Sequence, residues 1–254
     1  MEHLFSISHL SKSFGSSDKR LVLFENFNLK AAEARVTSIV GPTGCGKTTL
    51  LNIIAGIEKP DTGKVEFTSG SGFRTGYMLQ DSLLLPWRTL SENAMLGSEI
   101  FNKHRVKSSK ELDEYFALFD LADSKNSYPA VSSGGMKRRV ALIRTLLTEP
   151  SLLLLDEPFV DLDFDIRPKI QRRLIRYFEK RNTTIVLVTH DIEDAVALGD
   201  IVIVLSEKPT TIKSQIKIEL GISRKDPVEA RKSPKFRDYF VHIWDELKYL
   251  DNND

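Results

Sequence analysis

Apolar residues fall along this chain in short, nearly unbroken runs, separated by longer stretches in which they recur every three or four positions. The unbroken runs are Thr37–Val40, Leu152–Leu155, Thr184–Val188 and Ile201–Leu205. A piece of buried helix has the same pattern, but the shortness of the runs and the β-branched content of the last two favour strands buried on both faces of a parallel sheet. The start of the chain differs. Leu4–Ser8 and Leu21–Leu29 alternate apolar and polar residues around Gly15–Lys19, which predicts an antiparallel hairpin at one edge.

Between about Thr89 and Leu147 the texture is helical. Thr89-Leu90-Ser91-Glu92 and Ser108-Ser109-Lys110-Glu111 each place a hydroxyl three residues before a glutamate, the pattern of a capping box. Leu112, Tyr115, Phe116 and Phe119 then share one helical face. This block interrupts the strand rhythm, so it reads as a helical subdomain, about 88–148, inserted into an α/β core. Ile166–Arg181 predicts a further helix with Ile170, Leu174 and Phe178 inward. Its Lys169, Arg172, Arg173, Arg176, Lys180 and Arg181 read as a solvated basic face. Ser233-Pro234 has the form of an N-cap and first-turn proline, opening a helix whose Phe236, Phe240, Ile243 and Leu247 form a stripe for docking on the core. Asp251–Asp254 reads as a frayed tail. The resulting division is 1–222 for the main domain and 223–254 for a C-terminal helical extension.

Composition narrows the function classes. The chain has 254 residues, enough for one substantial core and a small subdomain. A net charge of +1 supplies no global field for nucleic acid or an anionic membrane, so no nucleic-acid partner is expected. Met1-Glu2-His3-Leu4-Phe5 has neither a basic start nor a long apolar stretch, so a secreted protein is not expected. No segment approaches the roughly 20 apolar residues of a membrane span. The single cysteine, Cys45, excludes an internal disulfide and a cysteine-cluster metal site, and reads as a small filler residue.

The chemistry concentrates in three places. Gly41, Pro42, Thr43, Gly44, Cys45, Gly46, Lys47, Thr48 and Thr49 fit the spacing of a phosphate-binding loop, between the apolar run Val36–Val40 and a helix-like run Thr49–Ala55. Glycines let successive N–H groups turn toward a polyphosphate, Lys47 reaches its outer phosphates, and the Thr48 hydroxyl suits Mg²⁺. Leu152–Leu155 ends in Asp156 and Glu157. A carboxylate at a strand end beside such a loop suits a metal ion, and the next one suits a general base for the attacking water. Ser133, Gly134 and Gly135 open a helix whose apolar face is Met136, Val140, Ile143 and Leu147, giving a second set of anion-binding N–H groups; taken alone they read as an ordinary cap.

In their order along the chain, and over nearly the whole of it, these motifs resemble the ATP-binding cassette ATPases. The resemblance implies a P-loop NTPase (RecA-like) α/β core with an N-terminal antiparallel β subdomain and an inserted helical subdomain. Lys47, Glu157 and the switch residue His190, in Val188-Thr189-His190-Asp191, would be catalytic. Thr48, Asp156 and Gln80, which ends Gly76–Gln80, would hold Mg²⁺. Phe14 would stack on adenine, Ser133–Met136 would be the signature, and Val160–Asp163 the loop at a dimer seam, with Asp163 facing nucleotide. Two positions depart from the family pattern: Ser132 stands where leucine is usual, and Asp161 stands in the seam loop where small residues are usual.

Leu83–Thr89, Tyr128-Pro129 and Gly135-Met136 further resemble importers of nitrate, taurine and aliphatic sulfonates. Trp87 taken singly reads as a core residue. The resemblance implies ATP and Mg²⁺ as cofactors and a second copy of the chain as partner. It also implies transmembrane permease subunits, an indirect link to an external solute-binding protein, and a peripheral place on the cytoplasmic face of the membrane. A soluble, non-transport cassette ATPase and a nucleotide-gated dimerisation module are the alternatives.

Overall fold

The computed structural model describes residues 2–15, 20–68, 73–101, 109–221 and 226–251. The four apolar runs form the centre of a six-stranded sheet. Val36–Val40 (β3), Leu152–Asp156 (β6), Thr184–Val188 (β7) and Ile201–Leu205 (β8) are joined by Thr75–Met78 (β5) and Ile212–Lys217 (β9), in the order β5-β6-β7-β3-β8-β9. Pairing is parallel from β5 through β8 and antiparallel at β9.

Both faces of this sheet are covered, which explains the unbroken apolar runs. Successive side chains point to opposite sides, so Leu153 and Leu155 enter one cluster while Leu152 and Leu154 enter another. The first cluster is closed by helices Leu90–Phe101 (α2), Ser109–Leu118 (α3), Gly134–Leu146 (α4) and Arg167–Arg181 (α5). The second is closed by Lys47–Ile54 (α1) and by strands His3–Phe14 (β1) and Leu21–Ala32 (β2).

The N-terminal hairpin exists, but it does not extend the parallel sheet. β1 pairs with β2 and with Thr62–Phe67 (β4) in a separate three-stranded antiparallel sheet. β4 carries almost no apolar periodicity, since its residues are exposed apart from half-buried Val65, and this is why the sequence pattern does not reveal it. Residues 16–19 of the expected turn lie outside the described residues.

In the helical block, Thr89 and Glu92 form the expected reciprocal cap. The Thr89 N–H donates to Glu92 Oε2 at 2.7 Å, and the Glu92 N–H donates to Thr89 Oγ1 at 3.3 Å. Ser108 of the second capping box lies outside the described residues. On α5, Ile170 and Leu174 are buried as expected, but the basic face is not simply solvated. Arg172 pairs with Asp226 at 2.6 Å, Arg181 with Glu149 at 2.8 Å, and Lys169 and Arg173 flank Asp120 at 3.8 and 3.7 Å.

After β9, helices Pro227–Lys232 (α7) and Pro234–Asp251 (α8) pack on Ile192–Leu198 (α6). Phe236 and Ile243 are buried there beside Val196, Val202 and Val204. Ser233 uses its hydroxyl to donate to the Leu220 carbonyl at 2.8 Å, which ties the extension to the end of the core. Residues 252–254 of the expected tail lie outside the described residues.

Candidate nucleotide site

The loop between β3 and α1 turns on two glycines in the left-handed region, Gly44 at φ 77° and Gly46 at φ 100°. Gly46 also lies against Leu23, where a Cβ would come within 2.9 Å of that side chain. Lys47 folds over the loop, its Nζ donating to the carbonyls of Gly41 at 2.7 Å and Pro42 at 2.9 Å. Cys45 is buried beneath the loop with its Sγ 3.9 Å from Lys47 Nζ, and burial pushes its thiol pKa up. That is the behaviour of a filler residue rather than a reactive thiolate.

Around this loop the fold assembles a cleft of about 470 Å³, lined by Phe14, Thr43, Gly44, Gly46, Lys47, Thr48, Thr49, Gln80, Asp156, Glu157 and His190, together with Leu23 and Val188. Strand order is the reason. β7 lies next to β3 and β6 next to β7, so the carboxyl ends of three parallel strands open on the same edge. Thr48 Oγ1 donates to Asp156 Oδ2 at 2.7 Å. Asp156 is 1% exposed, and burial raises its carboxyl above the usual range, opposed chiefly by the Thr48 hydrogen bond. Glu157 adopts φ 50°, outside ordinary strand or helix geometry, with its N–H held by the Val188 carbonyl at 2.9 Å. His190 Nδ1 stands 2.9 Å from Glu157 Oε1, while the ring itself is largely open to the cleft.

Leu23 and Val188 were not singled out from the sequence. Both belong to strands, and nothing local distinguishes them from other core residues. Behind the cleft, Tyr77 donates to Asn52 Oδ1 at 2.9 Å, and burial together with the Asp156 charge raises its phenol pKa.

The remaining sequence-derived candidates lie elsewhere. Gly41, Pro42 and Cys45 form the back of the loop, without lining the cleft. Ser133, Gly134, Gly135 and Asp163 stand outside it as a second group. Ser133 N-caps α4 by accepting from the Met136 N–H at 3.2 Å. Gly135 is pressed against the seam loop, where a Cβ would meet the Asp161 carbonyl oxygen at 2.7 Å. The Asp163 carbonyl accepts from the N–H groups of Ile166 and Arg167 at 3.0 and 2.9 Å, starting α5. Ser132 is buried and donates to the Tyr128 carbonyl at 2.9 Å, so a hydroxyl is accommodated where an apolar residue is usual. Asp161 sits at φ 63°.

Trp87 is not core: it is 71% exposed, and Leu83 beside it is also exposed. The loop bearing them is nonetheless fixed. The side-chain amide of buried Asn93 accepts from the Leu85 N–H at 2.7 Å and donates to the Leu85, Arg88 and Thr89 carbonyls. Arg144 donates to the carbonyls of Leu83 and Ser82 at 2.9 and 2.8 Å. Among the described residues no helix is long and apolar enough to cross a membrane.

A glycine-rich loop at a helix start, with an aspartate ending a nearby parallel strand and a glutamate directly after it, defines a nucleotide-binding P-loop ATPase. The ABC transporter family model matches residues 24–160, and the chain belongs to that family. An uncharacterised ABC transporter ATP-binding protein of Bacillus subtilis, YtlC, is 36% identical over 249 residues, covering 96% of each chain. The aliphatic sulfonates import ATP-binding protein SsuB of the same organism is 37% identical over 236 residues, covering 91% of this chain and 89% of its own. Among solved structures, the dimeric post-hydrolysis state of the ATP-binding cassette MJ0796 bound to ADP and Pi is similar at TM-score 0.74 and 28% identity. It covers 85% of this chain and 99% of that one. The protein is thus an ATP-binding, ATP-hydrolysing cassette.

Proposed function

We propose that this chain is the energy-supplying subunit of an importer for a small solute of the nitrate, taurine or aliphatic-sulfonate type. Two copies would sandwich ATP and drive separate transmembrane permease subunits. The observation that carries the dimeric reading is the separation of the two anion-binding groups. Lys47, Thr48, Asp156, Glu157 and His190 converge on one cleft, while Ser133, Gly134 and Gly135 present their hydroxyl and helix start outside it. One chain therefore offers half of a triphosphate cage at each of two places, and a two-fold pairing brings the halves together.

Within that site, Lys47 would leave the Gly41 and Pro42 carbonyls for the outer phosphates, and Phe14 at the cleft mouth would stack on adenine. The donor set suits Mg²⁺: a hydroxyl, a carboxylate and the Gln80 amide are hard oxygen ligands, few enough to leave room for phosphate oxygens and water. Mg²⁺ held by Thr48, Asp156 and Gln80 would supply charge neutralisation at the β- and γ-phosphates. Glu157 would orient the attacking water and accept its proton. His190, already beside Glu157, would donate to a γ-phosphate oxygen and mark its presence. Ser133 and the N–H groups of Gly134 and Gly135 from the second copy would meet the charge that the first copy leaves unbalanced, with Asp163 at the seam.

The exposed Leu83 and Trp87, on a loop pinned by Asn93 and Arg144, support docking of an apolar element from a permease. Beside them, Leu96, Gly97 and Ile100 of α2 face Gly76 and Tyr77 of β5 across a shallow cleft of about 210 Å³. Such a chain would sit peripherally on the cytoplasmic face of the membrane, linked only through the permease to an external solute-binding protein. The relatives named for aliphatic sulfonate import support the solute class. Co-expression with candidate permease subunits tests this reading. Recovery of a membrane complex whose ATP hydrolysis rises with solute-loaded binding protein is expected, and ATP hydrolysis indifferent to every permease tested would contradict it.

A further inference from the structure

Arg138 lies on α4, one turn beyond the signature glycines, and is only 4% exposed. Its Nη2 donates to the main-chain carbonyl oxygen of Glu157, while its Nε is buried with no hydrogen-bond partner among the described residues. A buried guanidinium with an unused donor is costly to keep, and packing alone would be served better by an apolar side chain of similar volume. What the arrangement supplies is a fixed link. The Glu157 peptide, bent into the left-handed region, is gripped on its N–H by Val188 and on its carbonyl by Arg138.

We propose that Arg138 is a positioning residue for ATP hydrolysis, holding the Glu157 carboxylate in its water-activating pose and tying that pose to the signature helix. The helix start is packed against the seam loop, with no room for a Cβ at Gly135 beside the Asp161 carbonyl. One turn later the same helix is locked to the Glu157 peptide. A rigid helix cannot shift at one contact and stay still at the other. Contact made by a second copy with Ser133–Gly135 is thereby felt at the glutamate of the copy that supplies the signature. The carboxylates of Asp161, Asp156, Glu157 and Asp81 all attract this guanidinium, which opposes the burial that lowers its pKa. This inference rests on the reading of Glu157 as the general base.

The test is a double-mutant cycle in the full chain, measuring single-turnover hydrolysis and the binding of a fluorescent ATP analogue. Arg138→Met should lower the hydrolysis rate about ten- to a hundred-fold, the usual cost of misplacing a catalytic group, while analogue affinity stays within about two-fold. In a Glu157→Gln background the same change should cost nothing further, because the group it positions is already disabled. Equal losses in both backgrounds, or no loss in either, would overturn the proposal. Unchanged turnover in Glu157→Gln alone would remove the base assignment itself, and this inference with it. Should Arg138→Met fail to fold, Arg138→Gln keeps a donor in the same place and should show a smaller loss with the same dependence on Glu157.

Discussion

Lys47 spends its charge on two backbone carbonyls of its own loop, and phosphate oxygens are the stronger acceptors for an ammonium group. Replacing it with alanine removes that exchange. Nucleotide affinity should fall about 10- to 100-fold, the worth of a charge-assisted hydrogen bond, with thermal stability little changed; fluorescence titration with an ATP analogue checks both the direction and the size. On the proposed reading, the Glu157 carboxylate beside His190 would take a proton from the attacking water. Glu157→Gln should retain nucleotide binding and slow hydrolysis by roughly 10²- to 10⁴-fold in a phosphate-release assay. Lys47 was legible in the sequence because loop chemistry is local, with glycine, lysine and threonine acting within one turn of each other, and Glu157 because it directly follows an apolar run that ends in Asp156. Arg138 was not, since in sequence it is one more basic residue after the signature, and its contact with the Glu157 carbonyl, just past the end of β6, is made only in the fold. Leu23 and Val188 were hidden for the same reason.

At the scale of elements, the parallel strands announced themselves through runs buried on both faces, whereas β4 and β9, at sheet edges and partly exposed, left little trace. The basic stripe of α5 misled in a definite way. Its charges are partly consumed by Asp120, Glu149 and Asp226, contacts that depend on neighbouring elements and leave no periodic signal.

The clearest joint between elements is buried Asp194 on α6. Its Oδ1 accepts from Gln171 Nε2 of α5 and Arg231 Nη2 of α7, each at 2.7 Å, and its Oδ2 accepts from Arg167. Asp194→Asn strips the charge from this junction and leaves Arg167 only Asp191 and Arg231 only Glu193 as carboxylate partners, so urea denaturation should report a loss of about 1–3 kcal/mol. Trp87 makes the opposite case. It looked like a core residue and is exposed on a loop that Asn93 and Arg144 hold still. Trp87→Ala should therefore leave the basal ATP hydrolysis of the isolated chain unchanged and weaken co-purification with the permease, measured by pull-down from membranes.

The whole molecule is organised around one sheet whose carboxyl edge holds the cleft, flanked by a helical block that carries the signature outward. The helical block was legible where capping boxes and a helical apolar face interrupt the strand rhythm. The position of the C-terminal segment was not, because α7 and α8 are joined to α6 by an apolar stripe and by Arg231, and neither implies a particular docking site from sequence alone.

The central claim is that the two anion-binding groups of one chain are completed by those of another, so ATP should act as the glue between copies. Sedimentation velocity of the Glu157→Gln protein, with and without Mg²⁺–ATP, measures this directly. A species of 28.8 kDa is expected without nucleotide and one of twice that mass with it, reverting when Ser133→Arg is also present. A protein that binds ATP tightly yet sediments as a single copy at every concentration would contradict it.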